Sequence, residues 1–209
     1  FGVASVNNSG YTALYLTIGD HMVFYTEGAN YGNAPLATIA GEQEYVFLNN
    51  IGTAEQFAAL GEELLKGKVV LCYRGETSFF EKANAAVEAG AVGVIVVNNV
   101  EDYLGMNLTG YEYDAPAVSV SLSAGEIFKV NPITDEAGNV MGWTGTLEVP
   151  EKPYPAMHPD QYYTMSSFSS WGVPGSLELK PEITAPGGMI WSVNGVATSG
   201  TEYEMMSGT

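Results

Sequence analysis

Thiol and imidazole side chains are almost absent from this chain. Its 209 residues include one cysteine, Cys72, and two histidines, His21 and His158. A single cysteine cannot form an internal disulfide, and it excludes a zinc site built on several thiolates. Because Cys72 lies inside an apolar run, we expect a buried and inert thiol.

Positive charge is scarce as well. Seven Lys and Arg residues stand against 24 Asp and Glu residues, which gives a formal net charge of −17. A chain this acidic repels the phosphates of nucleic acids and the anionic face of a membrane, so we expect neither partner. The carboxylates are spread along the chain in ones and twos, which is typical of a solvated surface.

Long apolar runs are missing too. No stretch approaches the length of a membrane-spanning helix, and residues 1–5 form neither an initiator region nor a signal peptide. We therefore expect the sequence to be a piece of a longer protein. Its hydrophobic content of 46% is nevertheless enough for a substantial core.

Short runs of aromatic and β-branched residues dominate the first third of the chain, with turn residues between them. They predict strands over residues 11–18, 22–25 and 44–48. The periodicity then becomes that of a helix over residues 53–66. Thr53 and Gln56 match a capping box at its start, and Gly67 marks its end.

The centre of the chain predicts a strand, a helix and a second strand. The apolar runs 69–73 and 92–97 flank a helix that starts at a capping box of Ser78 and Glu81 and ends at Gly90. Strands that are apolar on both faces favour a parallel β-α-β unit. The loop between the first strand and the helix has one glycine, too few for a phosphate-binding cradle, so we expect no nucleotide.

The pattern changes after residue 115. A strand is predicted over residues 118–122, and another over residues 144–149. Between them, a short helix is predicted to start at a cap formed by Ser123 and Glu126. Four prolines then lie between positions 150 and 159. They are the strongest linker signal in the chain, and we place a domain boundary there.

Several central motifs resemble the core of a protease-associated (PA) domain. They are GKVVLCYRG (67–75), followed by Phe79, Lys82, Ala83 and Asn84, then AGAVGVIVVN (89–98) and APAVS (115–119), with SAGE (123–126) behind them. Residues 76–78 lack the cysteine that several PA domains carry at this point, so the disulfide of those relatives is missing.

The C-terminal motifs resemble another part of the same architecture. They are FSSWG (168–172), LKPEITAPGG (179–188), IWS (190–192) and MSGT (206–209). They are similar to the C-terminal part of a subtilisin-like serine protease domain, in the large surface proteases of Gram-positive bacteria that carry a PA insertion. Glu182 replaces the aspartate of the family's Lys-Pro-Asp and keeps its charge.

The resemblance implies a mixed α/β fold and a domain plan. A PA domain, which is a β-sandwich or open barrel flanked by short helices, would lie between partial segments of a subtilisin-like parallel α/β domain. Residues 1–18 would be the catalytic-domain strand before the insertion, 19–150 the PA domain, 151–167 a proline-rich linker and 168–209 catalytic domain again. We expect residues 1–8 and 168–209 to pair with each other, to pair with a neighbouring chain, or to be disordered.

The resemblance also implies where the chemistry lies. In this family the nucleophilic serine directly follows the Gly-Thr pair, so we expect it immediately after Thr209, whose hydroxyl would support the oxyanion. The catalytic Asp and His and the oxyanion Asn would precede Phe1. The chain itself would then hold no catalytic residue and would be inactive alone, and its substrate-binding residues are not identified.

Other candidate residues are weaker. His158 lies two positions before Asp160, but the intervening proline splays the two side chains, so we interpret it as a solvated linker histidine. Two carboxylate pairs, Glu42 with Glu44 and Glu112 with Asp114, offer oxygen ligands for calcium. No calcium-binding loop accompanies them, so we expect neither metal nor cofactor. Trp171 is expected in a core rather than in a cleft.

The resemblance implies that the chain is the PA-containing segment of an extracellular or cell-surface serine endopeptidase with an Asp-His-Ser triad. The PA domain would bind protein substrate or control its access to the cleft, and its partners would be a protein or peptide substrate and, by self-association, a second copy. The alternative is a stand-alone PA-type interaction module whose parent protein has no protease activity. A zinc exopeptidase would need ligands that two isolated histidines do not supply.

Overall fold

A computed structural model describes residues 3–8, 10–28, 33–102, 104–157, 164–169, 181, 183–188, 190–193 and 203–208. The chain divides into two compact units, residues 13–154 and residues 1–12 with 155–209. Among the described residues, no helix is both long and apolar enough to cross a membrane.

Short strands are the commonest regular element among the described residues. In chain order they are β1 (Val3–Asn7), β2 (Gly10–Ala13), β3 (Tyr15–Ile18), β4 (His21–Phe24), β5 (Thr26–Glu27), β6 (Gly41–Leu48), β7 (Val69–Tyr73), β8 (Gly93–Val97), β9 (Ala117–Val120), β10 (Asn131–Thr134), β11 (Val140–Val149), β12 (Tyr154–Met157), β13 (Ile183–Gly188), β14 (Ile190–Val193) and β15 (Tyr203–Met206). The helices are α1 (Ala54–Leu60), α2 (Glu62–Leu65), α3 (Phe79–Glu88) and α4 (Leu122–Ile127), and Leu36–Ile39 form a 3-10 turn.

Nine of the described strands form one mixed sheet in the unit of residues 13–154. Its order is β4-β3-β11-β6-β7-β8-β9-β5, with β10 paired to β11. The strands β6 to β9 run parallel to one another, and the outer pairs are antiparallel. β4 and β5 adjoin in sequence but stand at opposite ends of this order, so the sheet curls into a nearly closed barrel. The predicted mixed α/β class and barrel-like sheet are confirmed.

The central parallel strands are buried on both faces, and successive side chains pack into two different cores. On the barrel side, Leu71 and Ile95 pack with Tyr45, Phe47 and Phe128. On the other side the apolar residues of the strands are covered by the helices, through Val70, Cys72, Val94, Phe57, Leu65, Ala83 and Ala86. The predicted parallel pairing of β7 with β8 is confirmed.

Two of the three predicted capping pairs are present, at Thr53 with Gln56 and at Ser78 with Glu81. The C-terminus of α3 is also capped by Gly90, as the sequence predicts. Gly90 has a φ of +95° and its N–H donates to the Val87 carbonyl at 2.9 Å, while the Ala91 N–H donates to that of Ala86 at 3.0 Å. This is the Schellman arrangement, which satisfies the last carbonyl groups of a helix.

Two helix predictions need correction. The single helix predicted over residues 53–66 is broken into α1 and α2 at Gly61, where a φ of +90° cannot continue an α-helix. The helix predicted to start at Ser123 is capped instead by Ser121, whose Oγ accepts from the Ala124 N–H at 3.4 Å. The strand before it accordingly ends at Val120 rather than at Leu122.

The other unit contains short paired strands from both ends of the chain. β1 pairs in parallel with β13, from Val3 opposite Ile183 to Val6 opposite Pro186. β2 pairs with β12, and β14 pairs with β15. Of the three outcomes expected for the first and last segments, pairing with each other is therefore the one observed for β1 and β13.

Candidate functional site

A buried polar network lies beside β1. Ser166 donates from its Oγ to Asn7 Oδ1 at 2.8 Å, and its Oγ lies 2.9 Å from that of Ser5. The backbone N–H of Ser5 donates to Ser169 Oγ at 3.0 Å. Because Ser5, Ser166 and Ser169 are each at most 5% exposed, the bonds among these serines are shielded from water. With the partly buried bond to Asn7, they join segment 164–169 to β1.

A pair of glycines ends β13 next to this network. A Cβ atom at Gly187 would lie 2.5 Å from the Gly208 carbonyl oxygen and 2.6 Å from Ser5 Oγ, so only glycine fits there. The Gly208 N–H donates to the Gly187 carbonyl at 2.8 Å. The residue that precedes Thr209 is thus held against β13. Thr209 itself lies outside the described residues, and its expected oxyanion role stays a prediction.

Most of the remaining candidates from the sequence cannot be placed. His158, Asp160, Trp171 and Glu182 lie outside the described residues, and His21 is exposed on β4. The described part of the chain has no group of three or more His, Cys, Asp or Glu residues placed to hold a metal ion. The absence of metal and cofactor stays an expectation.

The two carboxylate pairs considered for calcium do not form a metal site among the described residues. Glu44 forms an ion pair with Lys68, with 3.1 Å between Oε2 and Nζ. The backbone N–H of Glu112 donates to Asn84 Oδ1 at 3.0 Å, which fixes the main chain there but uses no carboxylate oxygen. Neither contact builds a set of convergent oxygen ligands.

Cys72 and Lys82 are both fully buried in the helix-covered core. Burial raises the pKa of the Cys72 thiol to about 12, so the thiol is protonated and unreactive at neutral pH. Lys82 donates from Nζ to the Ile51 carbonyl, and burial lowers the pKa of its ammonium group. Lys82 was part of the PA resemblance, but neither its burial nor a role for it was predicted from the sequence, although its place on the apolar face of α3 was a signal.

A cleft of about 460 Å³ opens in the unit of residues 13–154, between β4 and the segment from the end of β9 into α4. Met22 and Phe24 line it and are 40% and 39% exposed, respectively. Glu101 lies at the same cleft, and its Oε2 accepts from the Ser123 hydroxyl at 2.8 Å. No substrate-binding residue was identified from the sequence, but the exposed apolar side chains at alternate positions of β4 were a signal for this surface.

Comparisons with known proteins give a consistent set of similarities. The model of the PA domain family matches residues 32–128. A PIII-type proteinase of Lactococcus lactis subsp. cremoris (strain SK11) is 37% identical over 147 residues, which is 69% of this chain and 7% of that protein. A PII-type proteinase of Lacticaseibacillus paracasei is 36% identical over 149 residues, again 69% of this chain and 7% of that protein. A C5a peptidase of Streptococcus pyogenes is 32% identical over 145 residues, which is 69% of this chain and 11% of that protein.

Among solved structures, a zinc aminopeptidase from Bacillus subtilis superimposes with a TM-score of 0.49 at 22% identity, over 73% of this chain and 34% of that chain. A superposition of this quality supports no functional inference. The chain spans about a tenth or less of the length of the curated relatives named above.

Proposed function

We infer that this chain, whose residues 32–128 are a PA domain, is the PA-containing segment of an extracellular serine endopeptidase of the subtilisin-like class. The observation that carries the proposal is the 37% identity with a PIII-type proteinase, because that alignment spans 147 residues and so extends beyond the PA match. An endopeptidase needs a nucleophile, a base and oxyanion donors, which this segment would share with the rest of the protein.

The proposed nucleophile is a serine immediately after Thr209. The residue pattern of the C-terminal motifs supports this assignment, and so does the parallel pairing of β1 with β13. The hydrogen bond from Gly208 to Gly187 would hold the chain beside the sheet where the nucleophile follows. The hydroxyl of Thr209 would donate to the oxyanion, a role that is worth a few kcal/mol in comparable enzymes. The isolated chain would then be inactive.

The proposed role of the PA domain is to admit or bind the protein substrate. It supplies no described cluster of catalytic groups, but it does present a cleft with an exposed apolar rim. Such a surface favours contact with another polypeptide.

We also propose that the protein is extracellular, that it is attached to the cell surface and that it self-associates. Protease accessibility on intact cells tests the first two, and light scattering of the purified chain tests the third.

The test of the role uses the full-length natural protein and a variant in which residues 13–154, the compact unit that contains the PA domain, are replaced by a short Gly-Ser linker. We expect kcat/KM for casein to fall at least about tenfold, and kcat/KM for a short chromogenic peptide to change less than about threefold. A short peptide should reach the catalytic groups without the PA domain. Equal losses for both substrates would contradict the proposed role and indicate damage to the catalytic domain, and no loss for either would contradict it directly.

A further inference from the structure

Among the described strands, the sheet of the PA-containing unit has an unpaired strand edge at β4. β4 pairs with β3, whereas β5, which follows it after one residue, pairs with β9. No described strand pairs with the other side of β4. β9 and α4 pass opposite this free side, and the 460 Å³ cleft lies between them and β4.

The hydrogen-bonding groups on the free side of β4 can be assigned from its register. Tyr25 donates its N–H to the Leu14 carbonyl at 3.0 Å, and Val23 lies opposite Leu16 in the same antiparallel pair. Backbone groups alternate in direction along an antiparallel strand. The N–H and C=O groups of Met22 and Phe24 therefore point away from β3. An added strand can pair with such an edge.

The walls of the cleft combine apolar surface with negative charge. The side chains of Met22 and Phe24 are partly exposed, and Leu104 and Val120 are buried beside them. Two carboxylate residues, Glu101 and Asp102, also line the cleft, and none of the described lining residues is Lys or Arg. Ser123 donates to the Glu101 carboxylate at 2.8 Å and fixes its position. Charge complementarity therefore favours a cationic occupant with apolar side chains.

We propose that this cleft binds an extended segment of the protein substrate that adds to β4 as a strand. One apolar side chain of that segment lies against Met22 and Phe24, and a Lys or Arg side chain lies at Glu101 and Asp102. Only the origin of the segment, a substrate of the endopeptidase, rests on the proposed function. The site would make cleavage of basic, extended substrates more efficient without contributing to the chemical step.

The test measures binding of fluorescein-labelled peptides to the 209-residue chain by fluorescence anisotropy. The probe is the peptide KVLVK, and we expect it to bind saturably. Its comparison peptides are EVLVE, which reverses the charge, KSTSK, which removes the apolar side chains, and KVLVK with alternate amides N-methylated, which removes backbone donors. Each should bind at least about fivefold more weakly, because each loses one of the three proposed sets of contacts.

A matched pair of variants separates the cleft from the general acidity of the chain. E101Q/D102N removes two charges at the cleft, and E62Q/E63Q removes two charges on α2, which does not line it. Because exposed ion pairs contribute modestly, we expect the first variant to weaken binding of KVLVK on the order of fivefold. We expect the second to change it less than about twofold. All four side chains are exposed or partly exposed, so both variants should fold, which circular dichroism checks.

Several results would overturn the proposal. Equal weakening by both variants would mean attraction to the acidic surface as a whole. Undiminished binding of the N-methylated peptide would exclude strand addition, and the absence of saturable binding up to about 1 mM would exclude the site. These measurements need no peptidase activity. If KVLVK binds and the full-length protein proves inactive, the proposed function fails and the site stands. If the protein is active and its PA domain does not bind KVLVK, the site fails and the proposed function stands.

Discussion

The hydroxyl of Tyr45 connects the barrel interior to the helix that forms one wall of the cleft. Tyr45 lies on β6 with no exposed surface, and its Oη donates to the Phe128 carbonyl at 2.8 Å. The two rings meet edge to face, with centroids 5.4 Å apart. Phe128 is the C-cap residue of α4. Tyr45→Phe removes this hydrogen bond and leaves the ring packing in place.

The structure sets the size of the expected effect. A buried hydrogen bond contributes about 0.5–1.5 kcal/mol, and a carbonyl left without a partner costs about 1–3 kcal/mol more. The second cost is largely avoided here, because the Phe128 carbonyl also accepts from the Val130 N–H at 3.0 Å. A Cβ atom at Gly145 would lie 2.5 Å from Tyr45 Oη, so the hydroxyl is tightly enclosed and its removal leaves a small void. We expect a loss of about 1.5 kcal/mol in the free energy of unfolding.

This loss also depends on pH in a defined direction. Burial raises the pKa of Tyr45 to about 12 in the folded chain, against about 10 for an unfolded tyrosine. The contribution of the protonated hydroxyl is therefore complete below pH 10, and it is lost as the pH rises towards 12. The difference in stability between the wild type and Tyr45→Phe should shrink over that interval.

Urea unfolding followed by tryptophan fluorescence and circular dichroism measures the difference. Tyr154→Phe is the matched control, because Tyr154 is 41% exposed and its replacement should change the stability by less than about 0.5 kcal/mol. A loss below about 0.3 kcal/mol for Tyr45→Phe would show that the hydrogen bond adds nothing to the stability. A loss above about 3 kcal/mol would refute the argument that Val130 satisfies the carbonyl.

Two further predictions concern the core of the same unit. Gly142→Ala should destabilise the chain by at least about 2 kcal/mol, because the new Cβ atom would collide with the Phe47 carbonyl oxygen. The control Gly105→Ala should leave the stability unchanged, since nothing lies within 4 Å of a Cβ atom there. Equal urea midpoints for the two variants would contradict this prediction. The Cys72 thiol should not react with Ellman's reagent in the native chain at pH 8, and one thiol per chain should react in urea, because burial excludes the reagent and raises the pKa to about 12. Rapid labelling without denaturant would mean that the helix-covered core is open to solvent.

The parts of the fold that were predicted correctly have signals within a few residues. Each capping box needs only a hydroxyl and a carboxylate or amide three positions later, and the double-sided apolarity of β7 and β8 indicates a parallel, covered sheet. The break at Gly61 was missed because the apolar spacing continues across it. Ser121 and Ser123 both offer a capping hydroxyl, and the structure uses that of Ser121.

The cleft could not be predicted from the sequence in the same way. It exists because β4 and β5 pair with strands that are distant in sequence, and no local pattern indicates where a curling sheet fails to close. Glu101 and Ser123 are brought together by this arrangement, and their hydrogen bond joins two segments that no single motif contains. The burial of Lys82 also depends on partners outside its own helix, in this case the Ile51 carbonyl.

The most direct test of the proposed identity is to label the full-length natural protein with a fluorophosphonate and to locate the adduct by peptide mass spectrometry. A serine made nucleophilic by a neighbouring base reacts with this reagent, and other serines do not. We expect one adduct, on a serine immediately after Thr209, and no adduct on the isolated 209-residue chain. An adduct at any serine within residues 1–209, or an active protein that is labelled elsewhere, would contradict it.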